Sequence, residues 1–379
     1  MNGAVGNNRI FGLDILRAAA ILFVLQMHSL RYISAHVDAH YYWLFIVDGV
    51  DLFFVLSGFL IGGILLKTIN TNGLDWPALT AFWIRRWFRT LPNYFLLLIV
   101  LLAGYRYGFH HFPPKSLQFF VFTQNFSDPQ PHFFPESWSL SVEEWFYIIV
   151  PLGLFILLKT GKNKRVITFS WICFVLIAFT IFRWYKIATH HYIEEGTWDQ
   201  NIRKQVLTRM DSIMYGFLGA YLTYYWFIFW EKWKNAFFIG GLLLLFGSRF
   251  LYSESVVYTK YFYISAQSIG TLLLLPKLNS IVSGKGMLHK IITHISIISY
   301  SMYLLNYTII LNIILPQISK LAGIDYKKNI GDAVITYCLF WIITFVLSWL
   351  LYRYYEKPMM NLREKFKRKT IREVHRKNG

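Results

Sequence analysis

The stretch LRAAAILFVLQMHSL, Leu16 to Leu30, reads as a membrane-spanning helix with an arginine near one end and a histidine near the other. Ionisable groups in hydrocarbon are costly, so Arg17 and His28 need a structural or chemical reason to be there. They stand eleven positions apart. On an α-helix that is three turns and about 20°, which puts both on one face, about 16 Å apart along the axis. The ten residues between them are apolar except Gln26. Asp14, three positions before Arg17, is spaced to pair with its guanidinium. Spacing alone supports two readings equally: a pair of interfacial anchors, or two points along a polar groove.

Of the 379 residues, 55% are hydrophobic, 19% aromatic and 15% charged. A soluble domain carries about a quarter charged residues. Apolar residues gather in blocks that match a bilayer core of about 30 Å. They lie near 11–30, 46–66, 91–107, 139–158, 166–186, 209–229, 236–252, 259–276, 293–315 and 331–352. The expected fold is an all-α integral membrane protein of about ten transmembrane helices. Residues 1–355 would form one transmembrane domain and 356–379 a basic cytoplasmic tail, with no appended soluble domain. The first block outruns a signal-peptide core and lacks a small-residue cleavage site, so it is expected to be retained as a span.

The formal net charge of +18 is not a nucleic-acid signature, because the basic residues sit between apolar blocks and in the tail. Lipid headgroups are the expected partner there. With the N-terminus inside, the inner segments hold Arg9, Lys67, Arg85, Arg86, Arg89, Lys159, Lys162, Lys164, Arg165, Lys232, Lys234, Lys277, Lys285, Lys290 and the tail. The outer loops hold chiefly Arg31, Lys115, Arg203, Lys204, Lys327 and Lys328. The positive-inside rule therefore predicts both termini in the cytoplasm. The outer loop near 108–138, rich in proline and aromatics, is expected to rest on the bilayer interface. Cys173 and Cys338 belong to no metal or redox spacing. His110–His111 and His190–His191 are sequence neighbours whose side chains diverge, so no metal is expected.

Several motifs appear in order along the chain. LDILRAAAILFVLQMH resembles the arginine-x10-histidine signature of the acyltransferase 3 family, membrane O-acyltransferases that decorate bacterial surface glycans. DGVDLFFVLSGFLI (Asp48–Ile61) is similar to that family's second-helix motif, and FWIRRWFRTLPNYF (Phe82–Phe95) to its basic motif before the third helix. ESWSLSVEEWFYIIVPL (Glu136–Leu152) resembles its tryptophan-serine-leucine-x-x-glutamate motif. LTRMDSIMYG, ISYSMYLLNYTI and YRYYEKP resemble further motifs.

The resemblance implies an enzyme of the bacterial inner membrane. It would move an acyl group, acetyl by family default, from cytoplasmic acyl-CoA to a hydroxyl of a cell-surface or lipid-linked glycan such as O-antigen, capsule or exopolysaccharide. Acetyl-CoA would be a co-substrate, with no tightly bound cofactor. Arg17, Arg85, Arg86 and Arg89 would bind the donor's phosphates through forked hydrogen bonds. His28 would be catalytic, as a base toward the sugar hydroxyl or as the acyl-carrying nucleophile. Glu143, at the position of the family glutamate, would orient His28 or bind the acceptor. Asp14, Ser57, Trp138, Ser139, Arg209 and Asp211 are expected in support, Ser57–Gly58 as a close helix contact and Arg209–Asp211 as an ion pair at a span entrance that serves structure or acceptor binding equally; Asp48 is expected as a helix cap. The family often carries histidine where this chain has Asn306, which cannot titrate, so a proton relay there is in doubt. Longer family members add an extracellular hydrolase-like domain, so the resemblance implies that this chain either acts alone or uses a separate partner for the final transfer. A glycan or anion transporter with Arg17 and His28 lining its path is the rival reading, although no paired repeat is visible.

Overall fold

In the bilayer core no water satisfies peptide groups, so an apolar block must close its hydrogen bonds on itself. Each of the ten blocks does so as a helix. The computed structural model describes residues 9–38, 42, 44–161, 163–190 and 195–362. The principal helices are α1 (Phe11–Ile33), α2 (Gly49–Thr71), α3 (Trp76–Phe109), α4 (Ser137–Leu158), α5 (Lys164–His190), α6 (Met210–Tyr225), α7 (Lys234–Glu254), α8 (Tyr263–Asn279), α9 (Gly286–Leu305) and α10 (Ile330–Leu351). α9 continues through a π-helical segment, Asn306–Ile314, to Ala322, and α10 through another, Tyr352–Glu356, to Leu362. No strand occurs among the described residues. Lys162, His191 and residues 363–379 of the basic tail lie outside them.

Eight of the ten helices are long and apolar enough to cross a membrane. The other two, α6 and α8, have 16 and 17 residues. At 1.5 Å per residue they fall short of a full hydrocarbon thickness. They are also largely buried among the longer helices. The chain is an all-α integral membrane protein. Glu356 is buried and accepts hydrogen bonds from Asn93 at 2.9 Å and Ser301 at 2.5 Å, so the bundle runs into the expected tail.

Small residues set a close crossing of α2 and α6. A Cβ on Gly58 of α2 would lie 1.8 Å from the Ile213 carbonyl oxygen, and one on Gly216 of α6 would lie 1.9 Å from that of Val55. The two helices therefore meet backbone to backbone, as the Ser57–Gly58 pair predicts. α5 instead turns Phe174, Ile177 and Ile181 outward, an exposed apolar stripe suited to lipid.

Asp48 caps α2, its carboxylate accepting from the Val50 amide, and Asp75 caps α3. The connection between α3 and α4 is only partly interfacial: Phe109, Phe112 and Leu117 are exposed, but Phe119, Phe133 and Phe134 enter the core. It is joined to the connection between α5 and α6. Asn125 donates to the carbonyls of Trp138 and Lys204, and the Val206 amide donates to Asn125.

Candidate active site

α1 and α9 run side by side in the same direction, with Ser296 beside Asp14 and Asn306 beside His28. At the Arg17 end, α1, α2, α3, α4 and α9 enclose a cavity of about 90 Å³. Its polar wall includes Arg17, Arg86, Arg89, Ser57, Glu143 and Ser139. Arg85 is exposed and does not line this cavity. Arg85 lies one position before Arg86, about 100° around α3, and that rotation takes it off the cavity face.

Arg86 donates to the phenol oxygen of Tyr147 at 2.7 Å, and its guanidinium lies 4.6 Å from the ring centroid. Tyr147 in turn donates to Glu143 at 2.6 Å, and Ser57 lies 2.8 Å from the same phenol. One tyrosine thus holds a cation, a carboxylate and a hydroxyl in fixed relation. Arg17 and Arg89 differ from Arg86: neither makes a hydrogen bond or ion pair with a described residue. Two uncommitted guanidiniums in one cavity wall form a ready anion site.

The expected Asp14–Arg17 pair is not formed. Asp14 is buried, bonded to Arg9 and to the Ser296 hydroxyl at 2.9 Å. With its charge already met by Arg9, Arg17 is left to face the cavity. Of the two neighbouring glutamates, Glu144 points the other way, accepting from Thr90 and Trp87 of α3 at 3.0 Å each.

His28 lies beyond the cavity rather than in its wall. Tyr303 stands between the Arg17 and His28 levels of α9, in edge-to-face contact with Phe53 at 6.4 Å between ring centroids, and both rings line the cavity. Tyr303 donates to the Glu136 carbonyl at 3.0 Å and lies 2.6 Å from the Ser139 hydroxyl. An aromatic layer thus separates this cavity from His28, so the polar groove that is one of the two readings of the spacing does not run open between them. Nor does Glu143 orient His28. His28 Nδ1 is 2.5 Å from Asn306 Oδ1, and its ring packs on Tyr307 at 4.8 Å. The nearby fixed charges are Lys204, Arg203 and Asp48. Arg203 holds Asp48 at 2.6 Å and Asp199 at 2.8 Å, and its guanidinium sits 5.4 Å from the Trp138 ring.

Arg209 and Asp211 do not pair with each other. Positions two apart on a helix face different ways. Arg209 bonds to Asp51 of α2, while Asp211 bonds to Arg183 of α5 at 2.6 Å. All four side chains are inaccessible to solvent. Arg183 also donates to Ser265 of α8 at 2.7 Å.

Sequence reasoning missed Tyr147, Arg9, Arg183 and Glu136. Glu136 is buried and accepts from the Thr308 amide at 3.1 Å and hydroxyl at 2.5 Å. Burial pushes its carboxyl up to about 7 despite these bonds.

A polytopic helical bundle that buries a guanidinium-lined cavity on one level of a helix and a histidine on the next is suited to bringing an anionic donor to a base inside a membrane. The chain belongs to the acyltransferase domain family, whose model matches residues 10–353. Over 176 residues it is 33% identical to the peptidoglycan O-acetyltransferase OatA of Listeria monocytogenes, covering 41% of this chain and 26% of that protein. Over 237 residues it is 30% identical to a putative O-acetyltransferase of Staphylococcus aureus, covering 56% and 34%. Over 187 residues it is 32% identical to the putative peptidoglycan O-acetyltransferase YrhL of Bacillus subtilis, covering 43% and 27%. The matches span between about a quarter and a third of these curated relatives. No solved structure matches the chain.

Proposed function

We propose that the protein is an O-acetyltransferase of the bacterial inner membrane, with both termini cytoplasmic, that moves an acetyl group from acetyl-CoA to a hydroxyl of a cell-envelope glycan. The observation that carries this reading is the pair of uncommitted guanidiniums, Arg17 and Arg89, in one cavity wall, with Arg17 on the same helix as His28. Phosphates of the donor bind these two groups. Glu143 shares the cavity but is held by Tyr147 and forms no ion pair with either arginine.

The cavity is smaller than the roughly 300–1,000 Å³ of small-molecule sites, so the pantetheine arm enters only as lining side chains part. Phe53 and Tyr303 form the layer it must pass to bring the thioester toward His28. There the imidazole takes the proton of the acceptor hydroxyl as that oxygen attacks the thioester carbonyl carbon. The tetrahedral intermediate collapses with loss of the CoA thiolate, which is protonated by the imidazolium, leaving the ester on the glycan.

The names of the relatives make peptidoglycan, rather than lipopolysaccharide, the first acceptor to assay. The test compares alkali-labile acetate on purified envelope glycans from a deletion strain, the parent, and the deletion carrying His28→Ala. The reading expects ester acetate in the parent alone. Ester acetate unchanged by deletion in every envelope glycan refutes it.

A further inference from the structure

The hydrogen bonds around Asn306 determine more than its contact with His28. Its side-chain amide nitrogen donates to the Met302 carbonyl at 2.9 Å and to the Tyr303 carbonyl at 2.7 Å. Both N–H donors of the amide are therefore used, and both partners are acceptors only. Rotating the amide by 180° would set its oxygen against two carbonyl oxygens and leave a buried residue without those bonds. The amide oxygen is thus committed to the remaining direction, toward His28 Nδ1. An amide oxygen has no hydrogen to give, so the hydrogen in that contact belongs to the imidazole.

We infer that Asn306 fixes His28 as the Nδ1–H tautomer, leaving Nε2 as its lone-pair nitrogen and making Asn306 the positioning residue for the transfer. A neutral imidazole offers one donor and one acceptor, and the bond made by one nitrogen sets the role of the other. Tyr307 supports the arrangement, its ring packed against the imidazole at an interplanar angle of 58° with centroids 4.8 Å apart. The π-helical segment begins at Asn306 itself, so the residue stands where α9 changes its winding. Such segments recur at functional sites. Asn306 thereby orients the base without titrating, the task a carboxylate performs in a serine–histidine–aspartate triad.

The kinetic consequence rests on the proposed role of His28, but the tautomer does not. The experiment is ¹⁵N NMR of histidine-labelled full-length protein in nanodiscs, at a pH where the imidazole is neutral, with His28 assigned by difference from His28→Gln. The expected spectrum has a protonated-type Nδ1 and an unprotonated-type Nε2. In Asn306→Leu the proton moves, wholly or in part, to Nε2. Turnover of acetyl-CoA in that variant falls at least about tenfold and at most by the roughly 10²–10⁴ that general acid–base catalysis contributes, while donor affinity holds because Arg17 and Arg89 are untouched. A wild-type His28 protonated at Nε2 overturns the inference, and needs no variant to fold. So does an unchanged tautomer in Asn306→Leu. The expected tautomer together with full activity in His28→Ala would instead refute the catalytic reading and leave the hydrogen-bond assignment standing.

Discussion

The phenol of Tyr147 donates to Glu143 at 2.6 Å while accepting from Arg86 at 2.7 Å, so one hydroxyl holds the cavity's carboxylate and one of its cations. Removing it in Tyr147→Phe releases both. Hydrogen bonds to charged groups contribute about 1.5–3 kcal/mol, which corresponds to roughly 10–100-fold in affinity. The expected outcome is a rise of that order in KM for acetyl-CoA, with a smaller change in kcat, measured by steady-state kinetics in proteoliposomes.

The arginines are expected to separate into two groups. Arg17→Ala and Arg89→Ala each weaken donor binding by at least about tenfold, through loss of a charge-assisted bond to phosphate. Arg85→Ala, whose side chain is exposed and outside the cavity wall, changes donor affinity less than threefold. Titration calorimetry with CoA on the purified protein distinguishes them.

Asp211→Asn tests the buried pair with Arg183. It leaves a solvent-inaccessible guanidinium without its carboxylate, a change that costs about 3–5 kcal/mol in buried pairs. A lowered thermal midpoint is expected, and the double variant Arg183→Met/Asp211→Leu should recover much of it. An Asp211→Asn protein as stable as the parent would refute this account of the pair.

Glu136 gives the protein a pH dependence. Its carboxyl is raised by burial from the ordinary 4.5 to about 7, so between those values the folded state holds a proton that the unfolded chain has released. Stability from this group is therefore full below about 4.5, falls as pH rises, and levels off above about 7. The loss amounts to about 3 kcal/mol at most. Glu136→Gln, which cannot ionise, should melt like the parent at pH 4 and above it at pH 8.

The helices were legible because apolar blocks of bilayer length have one way to satisfy their backbone, and all ten blocks are helical. The face shared by Arg17 and His28 was legible from the turn of a single helix. Partners across helices were not. Asn306 is 278 positions from His28, and nothing local marks it as the acceptor for Nδ1. Nearness in sequence misled twice, since Asp14 pairs with Arg9 rather than Arg17, and Arg209 and Asp211 turn to α2 and α5. Tyr147 was hidden for a different reason: in an aromatic-rich apolar block, a tyrosine whose hydroxyl organises charges looks like one that only packs.

In the proposed mechanism α1 divides the labour, Arg17 holding the donor and His28 moving the proton. The most direct measurement is made on purified protein in liposomes, with paired assays of CoA binding and of labelled acetyl transfer from acetyl-CoA to a glycan hydroxyl. His28→Ala is expected to abolish transfer with CoA affinity unchanged, and Arg17→Ala to lose CoA affinity and regain transfer at high donor concentration. Transfer that survives in His28→Ala, or CoA binding that is indifferent to Arg17→Ala, would contradict it.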